Sequence, residues 1–182
     1  MEDRILNKLS NSIVDSLTSG INANGSASLV VCGGNSPLPL YQCLSKSDLD
    51  WSKVSIFLGD DRLVPADHDD SNEHLIKNNL LINKANKAIF YPLNDNNVLE
   101  KIYLPFDVVL LGLGSDGHFA SLFPAQLANS NAFDEYASPE LVLSIEPQGT
   151  PSHKRISMNL SLLLSTKPVS YTHLTLPTKR IV

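Results

Sequence analysis

The sequence predicts an α/β fold, an open, mainly parallel, doubly wound sheet with helices on both faces. Three observations predict it. Short apolar runs of strand length alternate with segments of helical period, the order that builds βαβ units. The strongest runs are apolar along their whole length, as strands covered on both faces are. Each of these runs also ends at a glycine-containing turn. The 182 residues can enclose one sizeable core. A hydrophobic share of 42% with 18% charged residues is that of a globular chain, which argues against wholesale disorder.

Along the chain, Ile5, Leu9, Ile13 and Leu17 fall four apart in residues 2–19, one stripe of an amphipathic helix, with Gly20 as its stop. Ser28–Cys32 (SLVVC) is a buried strand ended by Gly33-Gly34. Ser36 reads as an N-cap with Pro37 at the first helical position, opening a helix to about Ser45. Lys53–Leu58 (KVSIFL) is a second buried strand, followed by a polar loop from Gly59 to Asp70. Ser71 caps a helix that runs to about Ile82. Ala88–Tyr91 is a weak strand and Asp95–Ile102 a helix. Phe106–Leu111 (FDVVLL) is the strongest strand, and it runs into Gly112-Leu113-Gly114-Ser115-Asp116-Gly117-His118. Leu141–Ile145 and Arg155–Met158 are further strands, and helical spacing runs from about Asn159 to Ser165.

Charge and composition exclude several function classes. With 14 Lys+Arg against 19 Asp+Glu the chain carries a formal −5. It therefore lacks the basic footprint of a nucleic-acid or anionic-membrane binder, and any phosphate it holds must be held locally. Apolar runs such as Val108–Leu113 fall far short of the roughly 20 residues that span a bilayer. The opening Met1-Glu2-Asp3-Arg4 has no secretory character. Cys32 and Cys43 make no disulfide framework and have no CxxC neighbour. The expectation is a cytoplasmic protein with one domain over residues 1–167. It takes a small-molecule ligand, has no nucleic-acid or membrane partner, and is a monomer or weak homo-oligomer.

Three strand ends carry unusual chemistry, and in an open parallel sheet ligands bind at the carboxyl ends of the strands. In Gly33-Gly34-Asn35-Ser36, paired glycines let the backbone approach a ligand, and the helix that follows offers free N–H groups to an anion. In Gly59-Asp60-Asp61-Arg62, an arginine able to grip a phosphate bidentately stands beside carboxylates able to orient it. A tight turn and a solvated ion pair are the plainer readings of these two. Downstream, His68, Asp69, Asp70 and His74 show no recognised metal spacing, so no metal is expected. The third end is Gly112–Pro124 (GLGSDGHFASLFP). Asp116 and His118 emerge there two apart, where the carboxylate orients the imidazole as a general base near neutral pH. The flanking glycines leave His118 nothing to pack against.

That run resembles the signature of the 6-phosphogluconolactonases, in the sugar-phosphate isomerase/deaminase-like superfamily. The resemblance extends to Val30–Leu44 (VVCGGNSPLPLYQCL), to Trp51–Leu81, and to Pro151–Asn159 with its Arg155. It spans the chain from the first helix to about Lys167. Glucosamine-6-phosphate deaminases share the Gly-Asp-Gly-His core but continue with Asn-Glu-Pro. Here Ser121-Leu122-Phe123-Pro124 follows, and Arg62 follows the acidic pair. Both details favour the lactonase branch.

The resemblance implies hydrolysis of 6-phospho-D-glucono-1,5-lactone in the oxidative pentose phosphate pathway, without metal or organic cofactor. It implies that His118 is the base that activates water and that Asp116 orients or polarises it. Arg62, with Arg155 and the backbone of Gly33, Gly34, Asn35 and Ser36, would hold the 6-phosphate, and Asp60 would position Arg62 or a sugar hydroxyl. The other readings are a glucosamine-6-phosphate deaminase or sugar-phosphate isomerase, and a non-catalytic sugar-phosphate sensor, which would not need the Asp116/His118 pair. Asn35-Ser36 depart from the family's frequent Ser-Thr, and Asp61 from its common Glu. Residues 168–182 (PVSYTHLTLPTKRIV) carry two prolines and no periodic core face. They read as a non-native, vector-like tail. The family continues with another strand and helix bearing a lysine, so the expectation is a C-terminally incomplete and less stable chain.

Overall fold

The structure is a computed structural model that describes residues 2–95, 97–127, 131–148 and 152–167. The expected tail, residues 168–182, lies outside the described residues.

The first sheet has four parallel strands in the order β4-β2-β1-β5. They are β1 (Ala27–Val31), β2 (Val54–Leu58), β4 (Ile89–Tyr91) and β5 (Val108–Val109). β1 is buried along its whole length, as its unbroken apolar run requires, with Leu29, Val30 and Val31 fully enclosed. Its register sets Val31 beside Leu58 and Val30 beside Val109. The chains leaving β1, β2 and β5 therefore emerge together at one sheet edge. Phe57 on β2 anchors the core, stacked on Tyr91 at 5.1 Å and tilted against Phe106 at 5.9 Å.

Helices α1 (Glu2–Asn24), α2 (Leu38–Ser45), α3 (Asn72–Asn79) and α4 (Leu160–Leu164) complete the α/β arrangement. Leu9, Ile13 and Leu17 are buried as their spacing predicts, although Ile5 at the head of the stripe is exposed. The expected Ser71 cap forms, its hydroxyl accepting from His74 N–H. Asn159 likewise caps α4, accepting from Leu162 N–H.

Several expectations need correction. Gly20 does not stop α1. The helix continues to Asn24 and ends at Gly25, whose φ of +80° is the left-handed turn a helix terminus needs. Gly20 is there for space, since a Cβ would sit 2.4 Å from Asp107 Oδ1. Ser36 does not cap α2; Pro37 occupies that position. The expected helix over 95–102 gives, among the described residues, a 3₁₀ turn at Val98–Lys101. Its Asp95 side chain takes Asn97 N–H, the local bond by which Asp competes with a helix. Phe106–Leu111 is ladder-paired only over β5, extended by Leu110 N–H to Val30 O. On its other side Phe106 bridges Thr166.

The larger correction concerns residues 59–70. Asp60–Arg62 is not loop but a strand, β3, in a second, antiparallel sheet ordered β3-β7-β6. β6 covers Leu141–Gln148 and β7 His153–Met158. Gly59 joins the sheets: its N–H donates to Val31 O at 2.9 Å, and its carbonyl accepts from Met158 N–H at 2.9 Å.

Replacing Gly20 with alanine tests this packing. An interior helix position ordinarily gains about 1 kcal/mol from Gly→Ala. Here the new methyl displaces a buried carboxylate held by Ser28 N–H, Ser28 Oγ and Lys167. Overpacking of this kind costs about 1–3 kcal/mol. Thermal melts followed by circular dichroism should show Gly20→Ala melting several degrees below the wild type; an increase would mean the carboxylate moves freely.

Candidate active site

The second sheet explains how three consecutive charged residues can be enclosed. Side chains alternate across a strand, so Asp60 and Arg62 share one face of β3 and Asp61 takes the other. Antiparallel pairing sets Arg62 opposite Arg155 and Asp60 opposite Ser157. One face thus gathers Asp60, Arg62, Arg155 and Ser157.

Asp61 serves the helix behind. Its carboxylate accepts from Asn72 N–H at 2.6 Å, Glu73 N–H at 3.1 Å and Arg62 N–H at 2.7 Å, at the amino end of α3. An anion is stabilised there by orphan donors and the helix dipole. Burial raises its carboxyl pKa, and those N–H groups oppose the shift.

Asp60 is enclosed. Its Oδ2 accepts from Ser121 Oγ at 2.5 Å and stands 4.0 Å from Arg155 Nη1. Burial pushes its carboxyl up, against the Ser121 hydrogen bond and the charges of Arg62, Arg155 and His118. Asp60, expected to position Arg62 or a sugar hydroxyl, connects to Arg62 through the Asn72 amide. Arg62 Nη1 donates to Asp70 O at 2.8 Å and to Asn72 Oδ1 at 3.2 Å. Arg62 Nε, among the described residues, is a buried side-chain nitrogen with no hydrogen-bond partner. One edge of the guanidinium is held while the adjacent one is uncommitted. Arg155 is buried, and its pKa is lowered first by that burial and then by the Arg62 charge.

Asn72 is a residue the sequence reading missed. Its amide donates to Asp60 O at 2.8 Å and Asp60 Oδ1 at 3.3 Å while its oxygen takes Arg62. A Cβ on Gly33 would lie 1.9 Å from that oxygen, so the first glycine of the β1 turn makes room for Asn72. Gly34 adopts φ +87°, and Gly34, Asn35 and Ser36 are exposed at the same sheet edge.

In the third loop His118 Nδ1 lies 2.5 Å from Asp116 Oδ1. That hydrogen bond holds the Asp116 carboxyl below its ordinary value, so Asp116 is an ionised acceptor at neutral pH. With an ionised partner, Nδ1 is the donor of this pair, which fixes the orientation of the ring. A Cβ on Gly114 would fall 2.2 Å from His118 Nδ1 and 2.6 Å from Asp116 Oδ1. The glycine therefore clears the ground for the pair. The expectation that His118 packs on nothing fails: its ring stacks on Phe123 at 4.7 Å. Phe123 and Ser121 lay within the recognised run, but only the tertiary structure gives them partners.

Other residues stand apart. His74 meets Asn78, while His68 and His153 meet Asp70. Among the described residues no cluster of three or more His, Cys, Asp or Glu could hold a metal, and no helix is long and apolar enough to cross a membrane. Both cysteines are free, and burial pushes the Cys32 thiol up to about 11.

Fold and site together define an α/β protein in which a His–Asp pair is joined through Phe123 to one of two arginines paired across a ladder. The chain belongs to the family described as glucosamine-6-phosphate isomerases/6-phosphogluconolactonase, which matches residues 1–174 and so reaches into 168–174 of the segment set aside above. It is 37% identical over 171 residues to the 6-phosphogluconolactonase of Neisseria meningitidis serogroup A, covering 87% of this chain and 73% of that protein. To the 6-phosphogluconolactonase of Pseudomonas putida it is 39% identical over 168 residues, covering 86% and 69%. The crystal structure of a 6-phosphogluconolactonase from Shewanella baltica superposes with a TM-score of 0.81 at 37% identity, over 92% of this chain and 75% of that one.

Asp61→Ala tests the helix-capping role. Leaving buried donors unsatisfied should cost about 2 kcal/mol in urea unfolding. Because the native pKa is raised, the native state takes up this proton before the unfolded state does, and wild-type stability gains as pH falls through the native pKa. The deficit of Asp61→Ala should therefore widen on acidification from neutral pH and level off below the unfolded value near 3.8. A deficit that shrinks over that window would show that the carboxylate is not destabilised by burial.

Proposed function

We propose that this chain is a cytoplasmic 6-phosphogluconolactonase, a carboxylic ester hydrolase whose single domain spans residues 1–167. It opens 6-phospho-D-glucono-1,5-lactone to 6-phosphogluconate in the oxidative pentose phosphate pathway. The observation that carries this reading is the His118–Asp116 pair joined through Ser121 and Phe123 to the sheet face of Asp60, Arg155 and Arg62, whose buried Nε has no acceptor among the described residues. A buried donor without a partner costs free energy unless a ligand satisfies it, and a phosphate oxygen is the acceptor an arginine edge fits best. Arg155 and the exposed Gly33–Ser36 turn complete the anion site.

With the phosphate held, the lactone carbonyl sits against His118. Nε2 takes a proton from water as the oxygen bonds to C1, and Asp116 stabilises the imidazolium that forms. The tetrahedral intermediate collapses by breaking the bond from C1 to the ring oxygen, which receives the proton from Nε2. The products are a carboxylic acid, which ionises, and a free hydroxyl. No covalent enzyme intermediate is required. The Cys32 thiol, un-ionised at neutral pH, is not a nucleophile.

The purified chain should accelerate decay of freshly made 6-phosphogluconolactone above its spontaneous rate and release no ammonia from glucosamine 6-phosphate. Ammonia release with lactone decay at the background rate would replace this reading with a deaminase, and phosphate-ester binding without turnover would make the chain a sensor. His118→Ala should remain folded and lose on the order of 10²–10⁴-fold in kcat. Arg62→Ala should chiefly raise KM, by about 10–100-fold, since a phosphate contact is nearly uniform between ground and transition states. A fall in kcat at constant KM would instead place Arg62 at the reacting carbonyl.

A further inference from the structure

Two contacts tie the loop that bears His118 to the arginine pair, and both leave from residues 121–123. The Ser121 hydroxyl donates to Asp60 Oδ2, the oxygen that stands 4.0 Å from Arg155 Nη1. The Phe123 ring stacks on the His118 imidazole, 25° from parallel, and Arg155 Cζ lies 5.6 Å from the centroid of that same ring. Ser121 and Phe123 are only 4% and 5% exposed, so both contacts are made out of bulk water, where they are strongest. The backbone bends to make them. Ala120 adopts φ +47°, in a turn closed by Leu122 N–H to Phe119 O, and Ser121 N–H reaches Ser157 Oγ on β7. A left-handed alanine persists where its surroundings over-determine it. The hydroxyl, ring and amide contacts supply that constraint.

Resting on the lactonase reading, we propose that Ser121 and Phe123 are positioning residues that lock the His118 loop to the Asp60–Arg155 pair, so that anion binding at the arginines sets the placement of the base. A phosphate drawing on Arg62 and Arg155 acts on Asp60, which meets the loop at Ser121 three residues after His118, and on Phe123, whose ring lies on the His118 imidazole itself. The substrate's non-reacting phosphate is then used to orient the base as well as to raise affinity, the form of remote binding that appears in kcat. The geometry predicts loss of turnover with little loss of affinity when either link is cut.

Two measurements on Ser121→Ala and Phe123→Leu test this. With the phosphorylated lactone, kcat should fall about tenfold or more while KM stays within about twofold, because displacing a base costs turnover and not ground-state binding. Separately, protein labelled with ¹⁵N-histidine is titrated with inorganic phosphate. In the wild type the His118 ring signals should move on saturation. In each variant phosphate should still bind, and the displacement should drop below about half. The proposal is overturned if both variants keep kcat, if KM rises in place of a kcat loss, or if phosphate moves the His118 signals equally in them. The two variants cut separate links, so one that fails to fold by circular dichroism leaves the other to decide. Failure of the lactonase reading is recognised independently, as absence of wild-type turnover with the phosphate-linked shift intact.

Discussion

Two guanidinium groups face each other across the β3–β7 ladder, and the rest of the site is arranged around holding them there. Like charges directly opposite in a sheet destabilise it, so this register carries a cost that its surroundings must offset. Three features make the pairing tolerable. Asp60 brings a buried carboxylate to the same face, 4.0 Å from Arg155. Asp70 O and Asn72 Oδ1 hold Arg62 at one edge. Gly59 hangs the short strand from the buried parallel sheet through both its backbone groups. The two arginines are thus brought together by local structure in a chain whose overall charge is negative.

Strand period then divides the work of three consecutive residues. Because neighbours point to opposite faces, Asp61 caps α3 while Asp60 and Arg62 turn to the site. The cap fixes the first residue of α3, Asn72, and the Asn72 amide ties Asp60 to Arg62 beneath the Gly33 turn. A side chain on Gly33 would collide with that amide. The first two loops are therefore one assembly, and the third joins it through Ser121 and Phe123. A shared strand edge brings the loops near each other. Side-chain bonds between them set the positions of the functional groups.

Much of this was legible in the sequence, and the exceptions have a common cause. The parallel strands, the Ser71 and Asn159 helix starts, and the loop carrying Asp116 and His118 are written in local patterns that depend on residues nearby. β3 is not local. Asp-Asp-Arg has no apolar alternation and low strand propensity, and its partner β7 lies far along the chain. Gly20 reads as a helix stop in sequence because its reason, the Asp107 carboxylate, comes from another element. Asn72 is illegible for the same reason: following a capping serine, it looks like an ordinary first-turn residue. His118 was recognised but was expected to lack packing, because the ring that supports it is five residues later and meets it only when the loop closes.

The two ends of the parallel sheet also handle buried charge in opposite ways. At the amino end Asp107 is enclosed beside the starts of β1 and β5, and both its oxygens are hydrogen-bonded. It accepts from Ser28 N–H, Ser28 Oγ and Lys167 Nζ, while its own N–H is taken by Ser28 Oγ. A buried carboxylate bonded at both oxygens joins α1, β1, β5 and the 165–167 segment into one block. At the carboxyl end the arrangement around Arg62 is as specific but is left incomplete at Nε. Proteins rarely leave a buried donor unpaired, and here the orphan lies beside a second arginine and on the same assembly as an oriented histidine. The saturated end supplies rigidity and the unsaturated end a demand for an anion. In the proposed function, a substrate with a phosphate at one end and an electrophilic carbonyl at the other would meet that demand while bringing its reactive carbon to His118.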